Sequence, residues 1–562
     1  MKKKLLTVCL FSLIISKISS QNFEWVRQVE NSNGISFLRP LVTDSNGNIY
    51  SSGYFTGTVD LNTSSDVNSL TSNGSRDIFI QKLDSNGDFL WVKQIGGSGL
   101  DDGLSITVDS ADNLYILGRF QETVDFDPNI GVSNLTSNGG DDIFIQKLDS
   151  NGNFLWVRQI GNSDSEFGSS ISTDTNLDIY IVGNFNGTVD FDPDNGITNL
   201  TSNGSSDIYI LKLDSNGSFI WVKQIGGTGS DFGVKATTDV NGNVYLVNRF
   251  EGTVDFDPGI AVNNITADGF TDFFVEKLDS NGNLIWVKTL TYSSGEVDAN
   301  SIKIESNGAI VIGGHFVGTI DFDPDIGITN LSSNTNGDGD IFIQKLNQNG
   351  GFIWVKQIGG SADDFIQGMI LDSNNDIYIT GGFQNTVDFD PGTGISNLTP
   401  NGPSDIYIAK LNTSGDLVWV SQIGGASVDA ANSITVDLNN ELILVGAFSD
   451  TVDFNLSNQT NILTSIGTFD SFILKLDNQT LGIEDFTKNK IKIYPNPSSG
   501  KFFFTYNDKE LKNVRIFNIS GQEIYNLKNC CKVELDLNLQ SGIYLMQVET
   551  NNKLETLKFI IE

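Results

Sequence analysis

Histidine and cysteine are almost missing from this chain of 562 residues, which has one histidine and three cysteines. Cys9 lies in an N-terminal apolar run, and a bond between the adjacent Cys530 and Cys531 is sterically awkward. Disulfides are therefore not expected to build the fold. With His315 as the only histidine, a histidine-based catalytic site has little support, and no Cys/His metal cluster occurs in the sequence.

Positive charge and long hydrophobic runs are also scarce. The chain has 34 Lys and Arg against 69 Asp and Glu, a formal charge of −35 that should repel phosphate backbones and anionic membranes. Nucleic acid is not expected as a partner. The apolar run 5–15 follows three lysines and is too short to span a bilayer, which predicts a cleaved signal peptide over 1–20 and no transmembrane segment.

Proline is rare at 10 residues, whereas glycine is frequent at 58. Glycine, Asn, Asp and Ser fill the gaps between short apolar runs, as expected of many strands joined by tight turns. The composition predicts an all-β protein.

A repeat of 65 to 68 residues runs through the chain and is marked by tryptophan. All seven tryptophans are in register: Trp25, Trp91, Trp156, Trp221, Trp286, Trp354 and Trp419. A fixed period of this length is typical of a repeat architecture. One period contains four predicted strands, 105–109, 113–120, 142–148 and 153–160.

Four antiparallel strands with apolar residues on both faces need neighbours of the same kind on two sides, which favours a β-propeller over a solenoid or separate sandwiches. The first three strands occur seven times, and the last copy, ending at Asp477, has no tryptophan strand after it. The orphan strand 23–29 lies at the other end of the repeats. We therefore predict a seven-bladed propeller over 21–480 that is closed by its N-terminal strand.

Two resemblances follow from the motifs. The segments "TVDFDP" and "DIFIQKLDSNGNFLWVRQIG" resemble SBBP-type β-propeller repeats of secreted bacterial proteins. After a linker over 481–490, residues 491–562 resemble the type A C-terminal sorting domain of the type IX secretion system, expected to be a small β-sandwich. The matching residues are Tyr494, Pro495, Asn496, Pro497, Gly500, Gly521, Gly542, Ile543, Tyr544 and Lys558. This resemblance implies contact with the secretion machinery, passage through the periplasm, and a secreted or outer-surface location.

Two sets of residues are expected to line a ligand-binding face. Ten residues after each tryptophan except the first there is an acid, namely Asp101, Glu166, Asp231, Glu296, Asp364 and Asp429. The end of the second strand varies between repeats, being Tyr54, Arg119, Asn184, Arg249, His315, Gly382 and Ala447. For both sets the alternative is a structural role, in turns for the acids and as a variable strand end for the others.

The recurring "DFDP" segments offer oxygen ligands of the kind that calcium prefers. Their carboxylates are Asp125, Asp127, Asp190, Asp192, Asp255, Asp257, Asp321, Asp323, Asp388 and Asp390. We place them on the same face as the acids, where calcium is the expected ligand. Solvated acids on a short β-ribbon are the alternative.

The sequence favours an exported, non-catalytic binding or adhesion protein whose ligand is a glycan or a surface protein. The alternative is a secreted polysaccharide hydrolase using paired carboxylates. An enzyme site is asymmetric, whereas these repeats are nearly interchangeable, and no GxSxG or HExxH motif occurs.

Overall fold

The computed structural model describes residues 22–561 except for 32–33, 63–68, 293, 335–337, 457–459, 478–491, 495, 499, 506–510, 519–521, 529–533 and 551–553. The signal-peptide prediction, the linker and both C-terminal cysteines lie outside these residues. The chain divides into two compact units, with the boundary after Gln479. The described residues are all-β, and none of them form a helix that is long and apolar enough to cross a membrane.

The first unit contains 42 strands in chain order. The first 19 are β1 (Asn22–Val29), β2 (Ile35–Thr43), β3 (Ile49–Thr56), β4 (Thr58–Asp60), β5 (Ser69–Thr71), β6 (Asp77–Leu83), β7 (Phe89–Ile95), β8 (Asp102–Val108), β9 (Leu114–Phe120), β10 (Thr123–Asp125), β11 (Asn134–Thr136), β12 (Asp142–Leu148), β13 (Phe154–Ile160), β14 (Phe167–Thr173), β15 (Ile179–Phe185), β16 (Thr188–Asp190), β17 (Asn199–Thr201), β18 (Asp207–Leu213) and β19 (Phe219–Gly227). The others are β20 (Phe232–Thr238), β21 (Val244–Phe250), β22 (Thr253–Asp255), β23 (Asn264–Thr266), β24 (Asp272–Leu278), β25 (Leu284–Leu290), β26 (Glu296–Ile304), β27 (Ile310–Val317), β28 (Thr319–Asp321), β29 (Asn330–Ser332), β30 (Asp340–Leu346), β31 (Phe352–Ile358), β32 (Gly368–Leu371), β33 (Ile377–Phe383), β34 (Val387–Asp388), β35 (Asn397–Leu398), β36 (Asp405–Leu411), β37 (Leu417–Ile423), β38 (Ala430–Val436), β39 (Leu442–Phe448), β40 (Thr451–Asp453), β41 (Ile462–Thr464) and β42 (Asp470–Asp477).

These strands build seven antiparallel sheets of four long strands each, numbered here as sheets 1 to 7 in the order of their first strands. The orders are β2-β3-β6-β7, β8-β9-β12-β13, β14-β15-β18-β19, β20-β21-β24-β25, β26-β27-β30-β31, β32-β33-β36-β37 and β38-β39-β42-β1. The sequence predicted the third strand of sheet 2 at its observed limits, Asp142–Leu148. In sheet 7 the fourth strand is β1, which pairs with β42 from Asn22–Asp477 to Val29–Ser471.

Adjacent sheets pack face to face through a repeated aromatic core. The third strands are buried on both faces, since their apolar residues occupy consecutive positions and their Asp, Gln and Lys side chains are buried as well. In sheet 2 the rings of Phe120, Phe126 and Phe144 lie 4.9–6.5 Å apart, and Tyr115 makes an edge contact with Trp156 at 6.1 Å. The first strands contact one another in the order β2, β8, β14, β20, β26, β32 and β38, and β38 contacts β2.

A two-stranded ribbon connects the second and third strands of each sheet. In sheet 4 its first strand, β22, pairs with the fourth strand of the preceding sheet, Gly226 opposite Asp255. Bridges at Gly359–Asp388 and Glu30–Asp60 repeat this arrangement. The ribbons therefore link one sheet to the next at the outer strands.

The second unit contains β43 (Lys492–Tyr494), β44 (Lys501–Thr505), β45 (Leu511–Asn518), β46 (Glu523–Lys528), β47 (Glu534–Asp536), β48 (Gly542–Thr550) and β49 (Leu554–Ile561). They form a sheet of order β43-β44-β47 and a sheet of order β46-β45-β48-β49. Val514, Ile516, Met546, Val548 and Phe559 are completely buried in its core.

Candidate functional site

The variable position at the end of each second strand is paired with a position at the start of the first strand. The register gives Phe37–Tyr54, Asp102–Arg119, Phe167–Asn184, Phe232–Arg249, Asp298–His315 and Ala430–Ala447, and in sheet 6 Phe365 donates its N–H to the Gly382 carbonyl. We call these seven the variable pairs. They lie at the end of each sheet where the chain leaves the fourth strand for the next sheet. The sequence identified one member of each pair but not its partner.

Sheets 1 and 2 hold a row of aromatic and charged side chains in this region. The rings of Phe37 and Tyr54 stack at 5.8 Å, and the Arg76 guanidinium lies 4.5 Å from the Tyr54 ring. Arg76 and Arg119 both bond to Asp102, at 3.0 and 2.7 Å. Asp102 is thus paired with two arginines, whose side chains stay about a quarter exposed.

Sheets 4 to 6 hold a second charged group, in which His315 takes part. Arg249 pairs with Glu296 and with Asp298, the latter at 2.8 Å, and the His315 Nε2 atom lies 3.6 Å from Asp298. The ring of Phe365 meets His315 edge-on at 5.0 Å. Burial lowers the pKa of His315, although Asp298 acts in the opposite direction, so this histidine lies in a packed charge network.

Between these groups lies a cavity of about 440 Å³, which we call the hydroxyl-lined pocket. It is lined by Ser165, Phe167, Asn184, Asn186, Ser205, Ser206 and Ser230. The Phe167 ring is 40% exposed, and the Arg119 guanidinium lies 5.8 Å from it. A partly exposed aromatic ring among hydroxyl and amide groups can pack against the C–H groups of a ligand and hydrogen-bond to its polar atoms.

Five of the six acids predicted for the binding face are buried instead. Asp101, Asp231, Asp364 and Asp429 are 0% exposed and Glu166 is 1% exposed. Asp101 accepts from the N–H groups of Gly97 at 2.8 Å and Gln121 at 3.2 Å, and the other aspartates repeat this pattern. They hold the chain between consecutive sheets, as the turn alternative proposed, and they do not reach a ligand.

Glu296 is the sixth acid of the set, and the register places it one position before the equivalent of Asp101. In sheet 5 Asp298 pairs with His315 in the way that Asp102 pairs with Arg119, so the position equivalent to Asp101 is Val297. The connection before β26, like that before β2, is one residue longer than in the other five repeats, which moves Glu296 out of register. Its side chain is exposed and bonds to Arg249.

Burial of the five acids makes their contribution to the stability of the protein depend on pH. Burial raises the pKa of Asp101, Glu166 and Asp364 to about 7 and that of Asp231 and Asp429 to about 6, against the hydrogen bonds that they accept. Between pH 4 and 7 these five acids therefore bind more protons in the folded than in the unfolded state, so the stability that they contribute is greatest at the acidic end and is lost as the pH rises.

We expect the melting temperature of the exported protein to fall by several degrees between pH 5 and pH 8. A tenfold change in proton affinity corresponds to about 1.4 kcal/mol, and five groups act in the same direction. Thermal unfolding at each pH in 0.15 and 0.5 M NaCl measures this, because salt screens surface repulsion but not buried acids. Asp101→Asn should reduce the pH dependence by about one fifth. A melting temperature that stays flat or rises from pH 5 to 8 would contradict this assignment.

The tips of the "DFDP" ribbons extend toward the other end of the sheets, whereas the first carboxylate of a ribbon, such as Asp255, lies opposite a residue at the end of the preceding fourth strand. Asn129, in the first ribbon tip of this kind, donates to the Gly152 carbonyl at 3.3 Å, and Asp325 accepts from Phe352 N–H. Gly152 and Phe352 lie in or beside turns between third and fourth strands, whereas Asp101 lies beside the end of a fourth strand. The ribbon turns back along the outer strand and carries its tip away from the variable pairs.

The fit of these carboxylates to calcium is poor. Asp125 accepts from the N–H groups of Asp127 at 3.0 Å and Ser133 at 2.8 Å, and Asp127 accepts from Asn129 N–H. The other four ribbons repeat both turns. Within the described part of the chain, no three acidic, histidine or cysteine side chains are grouped to hold a metal. The ten carboxylates serve the ribbon turns, and we assign no calcium to them.

The sorting-motif residues of the second unit are partly described. Asn496 connects to the last strand, since its Oδ1 accepts from Ile560 N–H at 2.9 Å and its amide lies 3.4 Å from the Lys558 carbonyl. Tyr544 is buried, stacks on Phe559 at 5.6 Å and donates to the Gln540 carbonyl. Tyr494 and Pro497 are exposed, and Pro495 and Gly521 lie outside the described residues.

Comparison with known families identifies both units. The family described as "Secretion system C-terminal sorting domain" matches residues 492–562. The SBBP family, described as "Beta-propeller repeat", matches residues 90–119, 155–189 and 353–381. The chain therefore carries SBBP propeller repeats and a sorting domain of the type IX secretion system, and the latter indicates export to the cell surface or the medium.

Two curated relatives match the repeats. An uncharacterised WD repeat-containing protein of Acanthamoeba polyphaga mimivirus is 25% identical over 474 residues, covering 70% of this chain and 34% of the relative. The regulatory protein FlaEY of Caulobacter vibrioides is 23% identical over 472 residues, covering 78% of this chain and 46% of the relative. The chain thus spans less than half the length of both relatives.

Solved structures match only loosely. Sqt1 from Chaetomium thermophilum has a TM-score of 0.37 at 10% identity, covering 81% of this chain and 99% of that chain. PorZ, a surface component of the type IX secretion system of Porphyromonas gingivalis, has a TM-score of 0.14 at 12% identity, covering 96% of this chain and 100% of that chain. At these TM-scores the likeness says nothing about function.

Proposed function

We propose that this exported propeller-repeat protein is a non-catalytic binding or adhesion protein whose hydroxyl-lined pocket takes a glycan. The observation that carries the proposal is the partly exposed Phe167 side chain among four serines and two asparagines. The C–H faces of a sugar ring pack on an aromatic face, and its hydroxyl groups bond to serine and amide groups.

The lining residues are held in place by the sheets around them. Asn184 donates to the Asp231 carbonyl at 2.5 Å, and Ser165 accepts from Asp141 N–H at 3.2 Å. Phe167 lies opposite Asn184 in the register of β14 and β15. A pocket that is formed before the ligand arrives avoids the entropic cost of ordering the side chains.

A hydrolase is the second candidate, with Glu166 as its carboxylate because of its raised pKa and its place beside Phe167. Two observations count against it. Glu166 is 1% exposed, and aspartates occupy the equivalent place in four other sheets. A carboxyl repeated in this way supports the fold in every sheet and does not supply the asymmetry that catalysis requires.

We further infer that the seven sheets are the blades of one closed ring. Contacts between sheets 7 and 1 repeat those between other neighbours, which supports the inference. Lys475 donates to the Ser85 carbonyl at 3.1 Å as Lys82 donates to that of Ser150 at 2.9 Å. Arg27 bonds to Gly87 as Arg158 bonds to Gly217. Val29, Phe79 and Ile473 belong to one hydrophobic cluster across the same junction.

The pocket is tested by screening the exported protein against neutral oligosaccharides and measuring the affinity of the best binder by calorimetry. We expect Phe167→Ala to weaken binding at least tenfold, since it removes the stacking surface. Asn184→Ala should also weaken it, because an amide that faces the pocket is lost.

The matched control is Phe365→Ala, which removes the same side chain at the equivalent place in sheet 6, away from the pocket. It should leave the affinity unchanged. If Phe167→Ala and Phe365→Ala bind as tightly as the unaltered protein, or lose affinity equally, the pocket is not the glycan site.

A further inference from the structure

The seven first strands, β2, β8, β14, β20, β26, β32 and β38, contact one another in a ring, and their charges are distributed unevenly. They contain six ionisable side chains. The three acids, Asp102, Glu296 and Asp298, lie at the strand starts and are ion-paired with arginines of the variable pairs or with Arg76. The three cations, Arg39, Lys235 and Lys303, lie further along their strands, in sheets 1, 4 and 5.

None of these three cations has a carboxylate within 4.0 Å in the described residues, and none makes a side-chain hydrogen bond there. Lys235 and Lys303 are half-buried, whereas Arg39 is exposed and lies over the Phe37 ring at 4.7 Å. This differs from the lysines of the third strands, such as Lys82 and Lys475, which are paired with Asp44 and Asp437. In a chain of net charge −35, half-buried lysines without a carboxylate partner, such as Lys235 and Lys303, are unusual.

The three charges also influence one another. Burial lowers the pKa of Lys235, and the charge of Arg39 lowers it further. Burial also lowers the pKa of Lys303, and the charge of Lys235 lowers it further. No carboxylate counteracts either effect, so the group is electropositive and its members repel one another. Elsewhere in the ring the equivalent positions of Lys235 are Ser105, Ser170, Ser301 and Ser433, so the fold does not require a lysine there.

We propose that Arg39, Lys235 and Lys303 form an anion-binding site inside the ring of first strands, and that its ligand presents a carboxylate, sulfate or phosphate group. This proposal rests on the closed ring inferred above and goes beyond the neutral-glycan pocket. The first strands of sheets 1 and 4 face each other across such a ring, and sheet 5 is the neighbour of sheet 4. An oxyanion between them would relieve the mutual repulsion and accept charged hydrogen bonds.

The site is tested by calorimetric titration of the full chain with sodium sulfate, sodium phosphate and sodium glucuronate at matched ionic strength. We expect saturable binding of at least one of them. Lys235→Met and Lys303→Met keep the apolar stem and should each weaken binding about tenfold, the effect of losing a charged hydrogen bond. Lys93→Met removes the same charge from a fourth-strand lysine that bonds to Asn129, and it should not change the affinity.

The melting temperature without added anion gives an independent readout. Lys235→Met should raise it, because an unpaired cation is removed from the interior. Stabilisation together with weaker anion binding cannot come from misfolding.

Preference for glucuronate indicates a sugar acid, and preference for sulfate or phosphate indicates an ester of those acids. The proposal is overturned if no anion binds, if Lys235→Met and Lys303→Met bind normally, or if Lys235→Met lowers the melting temperature. Phe167→Ala should leave anion binding intact, so failure of the glycan pocket is recognised separately.

Discussion

Removal of residues 21–30 is expected to lower the melting temperature of the propeller by on the order of 10 °C and to broaden its unfolding transition. The deletion takes away β1, which supplies the fourth strand of sheet 7 through seven residue pairs with β42. It also removes the buried Val26 and Val29, worth about 2 kcal/mol each, and backbone hydrogen bonds worth about 1 kcal/mol each.

The same deletion leaves the edge of β42 unpaired. An open hydrophobic edge is a template for association, so we expect the truncated protein to form dimers or aggregates that size-exclusion chromatography detects. A synthetic peptide of residues 21–30 should restore the melting temperature by adding the strand back. Arg27→Ala is the matched control, because it removes the bonds to sheet 1 while β1 remains, and it should cost no more than about 2 kcal/mol. A truncated protein that melts like the intact chain would refute closure through β1.

The sequence was a good guide to the strands because every sheet repeats one alternation of apolar and turn residues. It was less reliable where the register shifts. The first strand of sheet 2 begins at Asp102 and not at Ser105, because a bulge between Gly103 and Ser105 interrupts the alternation. The same difficulty affects Glu296, because the connections before β26 and β2 are one residue longer than the other five.

The sequence predicted only some of the residues of the candidate site. The variable residue of the second strand could be recognised by comparing repeats. The residues that line the pocket with it, such as Phe167, Ser205 and Ser230, lie up to 63 residues apart and meet only through the sheet register. The acids repeat so regularly that they suggested a shared surface. In a repeat protein, a residue that recurs in every repeat can equally be one that each repeat needs in order to fold. The burial of Asp101 and its equivalents shows that these acids are of that kind.

The direction of the ribbons could not be deduced from local pattern. Asp125 and Asp127 form turns that any short ribbon could contain, and nothing in "DFDP" states which end of the sheet the tip approaches. The pairing of a ribbon with the outer strand of the preceding sheet decides this, as between Gly226 and Asp255. Such a contact depends on how two sheets pack, which is information that no single repeat contains.

Deletion of residues 485–562 is expected to abolish export while leaving the propeller folded. The second unit has its own hydrophobic core, built from β45, β48 and β49, and the boundary after Gln479 separates it from the seven sheets. Its loss should therefore leave the melting temperature of the propeller within about 2 °C of the intact chain, because no buried propeller residue is removed. In the native host the truncated protein should accumulate in the periplasm, measured by fractionation and by protease protection of whole cells.

A single substitution tests whether export depends on the contact made by Asn496 or only on the presence of the domain. Asn496→Ala removes the side chain that accepts from Ile560 N–H and joins the Tyr494–Pro497 motif to the last strand. We expect it to reduce export severalfold, since the loss of this hydrogen bond, worth about 1 kcal/mol, loosens the segment that the machinery would recognise. Asn526→Ala, which removes an exposed amide that bonds only to Glu523 in the described residues, is the matched control and should be exported normally. If the chain without residues 485–562 still reached the surface or the medium, export would not depend on this domain, and the route of the propeller out of the cell would have to be encoded elsewhere.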